Sequence, residues 1–100
     1  MNEALLHSSF EAAIKAYGAA GHAEAKDRLQ QQFHEMDSDE ITEAYLLACR
    51  LHDLAYDAAD KCRDKIHSKS EAIALLKEQC PGFAERTYER AFAQGLFESR

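Results

Sequence analysis

Valine and tryptophan are absent from this 100-residue chain, and its β-branched residues are four isoleucines and two threonines. Alanine supplies 18 of the 46 apolar residues. Sheets depend on β-branched and aromatic side chains, whereas alanine loses no side-chain entropy in a helix. One proline and four glycines leave few places at which a helix must stop. The composition therefore excludes an all-β or α/β domain and predicts an all-α fold.

Long apolar runs are also missing, so the sequence predicts no membrane-spanning segment. Residues 1–10 carry neither the basic region nor the apolar core of a signal peptide, and we expect none. Cys49, Cys62 and Cys80 form no CxxC pair, which favours reduced thiols over a disulfide framework. These features predict a cytoplasmic protein.

Basic residues are few, with 12 against 18 acidic residues and a net charge of −6. Because phosphate binding needs a basic face, we expect neither nucleic acid nor an anionic membrane surface as a partner. Residues 1–60 hold 4 basic and 12 acidic side chains, while residues 61–100 hold 8 and 6. Much of this asymmetry follows from the third predicted helix, whose acidic start and basic end complement its dipole.

Apolar residues at helical spacing predict five helices, at residues 3–17, 22–36, 38–67, 69–79 and 84–97. The two glycines in residues 18–21 should end the first helix, and the Pro-Gly pair at 81–82 should separate the last two. Ser68 and Glu71 have the spacing of a capping box. We therefore predict that residues 1–100 form a single helical domain. Its expected fold is a small bundle of four to five helices with one long central helix.

The central helix carries an apolar stripe in which Leu51 should be fully buried. At about 45 Å it is longer than a compact domain of this size needs, so it could protrude, break near residues 58–60, or lie along a second subunit. Its second half offers small residues that permit close helix approach, namely Ala55, Ala58, Ala59 and Cys62. The sequence leaves open a homodimer paired through this face and a monomer in which the last two helices cover it.

Cys49, His52, Asp53 and Asp57 lie at helical spacings on the central helix, and thiol, imidazole and carboxylate groups all bind metal ions. One ion cannot reach all four in a straight helix, and no strong metal-binding spacing is present. We therefore expect a buried Cys49, with His52 at the edge of the apolar stripe. For Cys80, a catalytic nucleophile competes with a half-buried thiol at a helix junction.

Residues 73–91 contain two leucines at 75–76, the turn sequence Cys-Pro-Gly-Phe at 80–83, and then a helix. This segment, about a fifth of the chain, resembles the first two helices of the ubiquitin-binding UBA and CUE domains. The resemblance implies recognition of ubiquitin-like proteins, although the same pattern is typical of an ordinary αα-corner. Residues 12–33 resemble one tetratricopeptide-type hairpin, without a second copy.

The leading hypothesis is a small protein-interaction or regulatory domain without catalytic activity or cofactor, which meets a protein partner through a helical surface. Tyr17 and Tyr56 are the best candidates for a partly exposed contact. The alternative is a helical bundle that binds a small ligand or a metal through Cys49, His52 and Asp53. An enzyme that uses Cys80 or His52 ranks third.

Overall fold

Five α-helices and no strand make up the fold in residues 2–99, the part of the chain that the computed structural model describes. They are α1 (Glu3–Ala13), α2 (Gly18–Gln32), α3 (Ser38–Arg63), α4 (Lys69–Gln79) and α5 (Glu85–Glu98). The structure is 79% helical, and α3 is the longest helix with 26 residues. The prediction of an all-α bundle with one long helix is confirmed. None of the five helices combines the length and apolar character needed to span a bilayer.

The chain divides into two compact units, Met1–Cys49 and Arg50–Arg100, and the division falls inside α3. Each unit buries apolar side chains of its own. In the first unit these include Leu5, Leu6, Phe10, Leu29, Ile41 and Tyr45, and in the second Leu51, Ala55, Leu76, Tyr88 and Phe92. The prediction that residues 1–100 form a single domain stays a prediction.

In the first unit, α1 and α2 have different bounds from those predicted. The Asn2 side chain caps α1 by accepting hydrogen bonds from the Ala4 and Leu5 N–H groups. This helix ends at Ala13, before the predicted end at residue 17, and α2 already begins at Gly18. Gly18 has φ +66°, so this glycine shapes the entry into α2 rather than the end of α1. The predictions for this junction were therefore wrong by about one turn of helix.

In the second unit, α3 runs without a break through residues 58–60 and ends at Arg63, four residues before the predicted end. Lys65 takes φ +61°, and the Ile66 N–H donates to the Lys61 carbonyl over 3.0 Å. A left-handed residue followed by such a long backward bond is the usual way in which a helix closes its last turn. Sequence patterns missed this end because Lys rarely adopts that conformation.

The start of α4 confirms the capping box, since Ser68 and Glu71 exchange both side-chain-to-backbone hydrogen bonds.

Near the other end of the unit, α5 crosses α3 at Gly95, which lies against Ala55 and Ala59. Both alanines are fully buried, so α5 covers this part of the small-residue face that could have paired with a second subunit. Leu51 is also completely buried, as predicted.

Candidate functional site

An open groove of about 410 Å³ lies between α1 and α2 in the first unit, and we call it the α1–α2 groove. Its floor is made of small or short apolar residues, since Ala25 and Leu29 are buried and Ala12, Ala16 and Gly21 are half-buried. A floor of side chains this small leaves the space between two packed helices unfilled. The groove therefore follows directly from the high alanine and glycine content of this segment.

The two ends of the groove are set by the turn between the helices and by a polar contact. At the turn, a Cβ placed on Gly21 would lie 3.5 Å from the Ala16 backbone, which is an ordinary van der Waals contact, so the chain folds back on itself there. At the other end, the Gln32 side-chain amide lies 3.5 Å from the Ser8 hydroxyl. The eleven steps of α2 from Gly21 to Gln32 span roughly 17 Å at 1.5 Å per residue.

Charged side chains of both signs border the groove. On α2, Glu24 and Arg28 form an exposed ion pair of 2.6 Å, and exposed pairs of this kind add little stability. On α1, Glu11 lies 3.8 Å from the His7 imidazole, and Lys15, just after the end of α1, is exposed. The rim is thus polar and exposed to solvent, while the floor is apolar.

Tyr17 lines the turn end of the groove and is 90% exposed. A tyrosine ring left this open makes few contacts within the unit, although burying such a ring is strongly favourable. Tyr56, in the second unit, is 43% exposed, so both tyrosines are exposed, and their role as contact residues stays a prediction. Of these two tyrosines, Tyr17 is the one that lines the α1–α2 groove.

The residues predicted as metal or ligand contacts have other surroundings. Cys49 is half-buried rather than buried, and it adjoins the Tyr45 hydroxyl. His52 is half-buried, with its Nε2 atom 2.6 Å from a Glu98 carboxylate oxygen, and Asp53 is exposed. Within residues 2–99, no three His, Cys, Asp or Glu side chains are placed to hold one metal ion.

Tyr45 is buried beneath the start of α2. Its hydroxyl lies 2.5 Å from the Nδ1 atom of His22, and the two rings meet edge to face. Burial raises the pKa of Tyr45 to about 12, and the Cys49 thiol adds to this effect. The hydroxyl therefore keeps its proton and holds α2 against α3, which is a structural task.

Cys80 is also a structural residue by its surroundings. It is 1% exposed, so the expectation of a half-buried thiol was wrong in degree. Burial raises the pKa of the Cys80 thiol, and the nearby Arg50 only partly opposes this. A protonated, covered thiol is a poor nucleophile.

The turn at residues 80–83 is fixed by one side chain. The Tyr88 hydroxyl donates to the Cys80 carbonyl over 2.7 Å and accepts from the Phe83 N–H over 3.3 Å. Phe83 and Cys80 are buried, as are Ile73 and Leu76 of α4. Most of the apolar residues behind the resemblance to UBA and CUE domains therefore belong to the core of the unit, while Leu75 is half-buried and Pro81 is exposed.

A second hollow, of about 430 Å³, lies between α4 and the start of α5. Two ion pairs join the helices there, Lys69 with Glu89 over 3.1 Å and Lys77 with Glu85 over 2.5 Å. Since its charged groups already partner one another, this hollow is a weaker candidate than the α1–α2 groove.

Comparison of the chain with models of known families, with curated proteins and with solved structures gives no match. The groove residues were not singled out in the sequence either. The signal that could have found them is the scarcity of bulky apolar residues on the second predicted helix, where alanine alternates with charged residues. A helix of that kind covers a core on one side and leaves shallow surfaces on the other.

Proposed function

We propose that this chain is a protein-interaction domain without catalytic activity, which binds an α-helical segment of another protein in the α1–α2 groove. The observation that carries the proposal is the combination of an apolar floor, a charged rim and the exposed Tyr17 at one end. Protein interfaces commonly have an apolar centre inside a polar rim, with tyrosine among the residues that contribute most.

The dimensions of the groove favour a helix as the occupant. A length of roughly 17 Å accommodates about three turns, which present side chains at positions i, i+4 and i+7 to one face. The floor residues Ala12, Gly21 and Ala25 leave room for bulky side chains from the partner. An aromatic or leucine side chain of the partner near the turn would pack against the Tyr17 ring.

The absence of catalysis is supported by the surroundings of the reactive groups. The Cys80 thiol is buried with a raised pKa, and His52 contacts Glu98. The alternative role for Cys49, His52 and Asp53 as ligands has no geometric support, because Cys49 contacts Tyr45 and Asp53 faces solvent. A groove that binds without chemistry is the simpler use of this fold.

The proposal is tested by selecting helical peptides that bind the parent protein from a display library. The selected peptides are then measured against the variant Ala12→Leu. Leucine at position 12 fills the floor of the groove, whereas Ala23→Leu adds the same bulk to an exposed position of α2 outside it. We expect selected peptides to lose at least about ten-fold in affinity for Ala12→Leu and to keep their affinity for Ala23→Leu, where about 1.4 kcal/mol corresponds to ten-fold.

The result that would overturn the proposal is a set of tight peptides that bind both variants equally, since their contact surface then lies elsewhere. Circular dichroism of each variant first establishes that its helix content matches that of the parent protein. Peptide affinity for the variant Tyr17→Ala is a second test of the groove. Truncation of this 90% exposed ring removes contact area with little effect on folding. Peptide affinity that is unchanged by Tyr17→Ala and by Ala12→Leu together rejects the groove.

A further inference from the structure

We infer that the helix bound in the α1–α2 groove is basic as well as amphipathic; this inference rests on the proposed function of the groove. The two units differ in their charge. Met1–Cys49 contains nine acidic and three basic residues, whereas Arg50–Arg100 contains nine of each. The whole net charge of −6 therefore belongs to the unit that carries the groove.

The acidic side chains of this unit face solvent, where they act on an approaching partner. Asp27 on α2 is exposed and directly precedes Arg28, which lines the groove, and Glu35 is exposed just beyond the end of α2. Further exposed carboxylates belong to Glu3, Asp37, Asp39 and Glu43. Their summed field raises the local concentration of cations and the rate at which a basic partner associates.

The rim itself is closer to neutral than the unit around it. Glu24 pairs with Arg28 within α2, while Glu11 on α1 and Lys15 just after α1 add one charge of each sign. A partner helix therefore gains little from charges placed in the centre of the contact. Its Lys and Arg residues belong on the flanks, within about a Debye length of Asp27 and Glu35, while its apolar face meets the floor.

The charge of the groove unit favours a different protein over a second copy of this chain as the occupant. A second copy would bring its own unit of charge −6 to the groove, and two such units repel each other. An acidic peptide or a nucleic acid meets the same repulsion. The occupant with matching chemistry is thus a basic amphipathic helix from a different protein.

Two synthetic peptides of about 18 residues test the inference directly. Both carry the same face of leucine and alanine, and they differ only in having Lys or Glu on the polar face. Each peptide is titrated into the full chain and followed by the amide NMR signals of Ala12, Gly21 and Ala25. We expect the Lys peptide to bind at least ten-fold more tightly in about 50 mM salt and to lose most of that advantage in about 300 mM salt.

Paired charge reversals locate the source of the effect. Asp27→Lys with Glu35→Lys changes the charge of the groove unit from −6 to −2, and we expect it to weaken the Lys peptide several-fold. Asp57→Lys with Glu78→Lys makes the same change of charge at exposed positions of the other unit and should weaken it less. Equal effects of the two pairs would overturn the assignment of the field to the groove unit.

The outcomes separate this inference from the function on which it rests. If the Glu peptide binds the groove as tightly as the Lys peptide, or if the display-selected groove binders have no net positive charge, the inference is wrong and the proposed function stands. If neither the synthetic nor the selected peptides shift the groove signals, the proposed function itself fails. Self-association that Ala12→Leu abolishes would show a second copy in the groove and overturn the inference.

Discussion

The crossing of α5 over α3 gives the sharpest prediction, because it depends on one missing methyl group. A Cβ placed on Gly95 would lie 2.4 Å from the Ala55 carbonyl oxygen and 3.1 Å from the Ala59 Cβ atom. The carbonyl belongs to the backbone of a continuous helix, so it cannot move aside as a flexible side chain would. Gly95→Ala must therefore widen the helix crossing or distort one of the helices.

The change in stability caused by Gly95→Ala is the difference between two opposing effects. In a helix interior, alanine is favoured over glycine by roughly 0.5–1 kcal/mol. Overpacking of a closely fitted core costs about 1–3 kcal/mol and occasionally more. Because the nearest clash is with backbone, the upper part of that range applies. We expect Gly95→Ala to lower the free energy of unfolding by about 1–2 kcal/mol after the helix gain is subtracted.

Gly21→Ala is the matched control, because Gly21 also lies within a helix. A Cβ placed there meets the Ala16 backbone at 3.5 Å, which is an ordinary contact. With no clash to oppose it, the helix preference of alanine should raise the free energy of unfolding by about 0.5–1 kcal/mol. Glycine-to-alanine substitution should thus lower the free energy of unfolding at Gly95 and raise it at Gly21.

Urea unfolding followed by circular dichroism at 222 nm measures both effects, with thermal unfolding as a second reading. For a domain of this size, 1 kcal/mol moves the Tm by about 4–8 °C. The slope against urea must be compared between variants, since a changed slope indicates a changed unfolding mechanism. A Gly95→Ala protein as stable as the parent, or more stable, would refute the close approach of α5 to α3.

Four further predictions use the same assay. Leu51→Ala should cost about 2–5 kcal/mol, because the side chain is completely buried; a loss below about 1 kcal/mol would contradict that burial. Tyr88→Phe should cost about 1–3 kcal/mol, because both hydrogen bonds that hold the 80–83 turn are lost; no loss would show that the turn does not need them. Lys65→Gly should gain about 1 kcal/mol by relieving the left-handed backbone, whereas Lys65→Ala, which keeps a Cβ atom, should not. The raised pKa of Tyr45 favours its protonated form in the folded state, so stability should fall as pH rises from about 10 towards 12. Tyr45→Phe should remove part of this fall, and an unchanged pH profile would count against it.

Features that depend on neighbouring residues in the chain could be predicted from the sequence. The capping box at Ser68 and Glu71 needs only two residues three positions apart, and it forms as expected. The burial of Leu51 follows from a stripe of apolar residues at helical spacing along α3. In both cases the local sequence pattern favours one arrangement, and the tertiary packing does not change it.

Helix ends were harder to predict because glycine permits several conformations. Gly18 and Gly21 were expected to end α1, yet the first opens α2 with a positive φ and the second lies inside that helix. At the end of α3 the left-handed position is held by Lys65, a residue type that gives no signal for it. Both errors concern backbone conformation that is decided by packing beyond the local sequence.

Small residues show most clearly why the candidate site could not be found from the sequence. In the second unit, Ala55 and Ala59 are met by Gly95, so small side chains there produce a close helix crossing with no space left over. In the first unit, Ala12 and Ala25 line the α1–α2 groove, so the same residue type there borders an open space. Composition and spacing are alike in the two cases, because both are alanines on helices. What differs is the element opposite, and only the folded arrangement of the chain determines whether a small side chain marks a contact already made or one that a partner must complete.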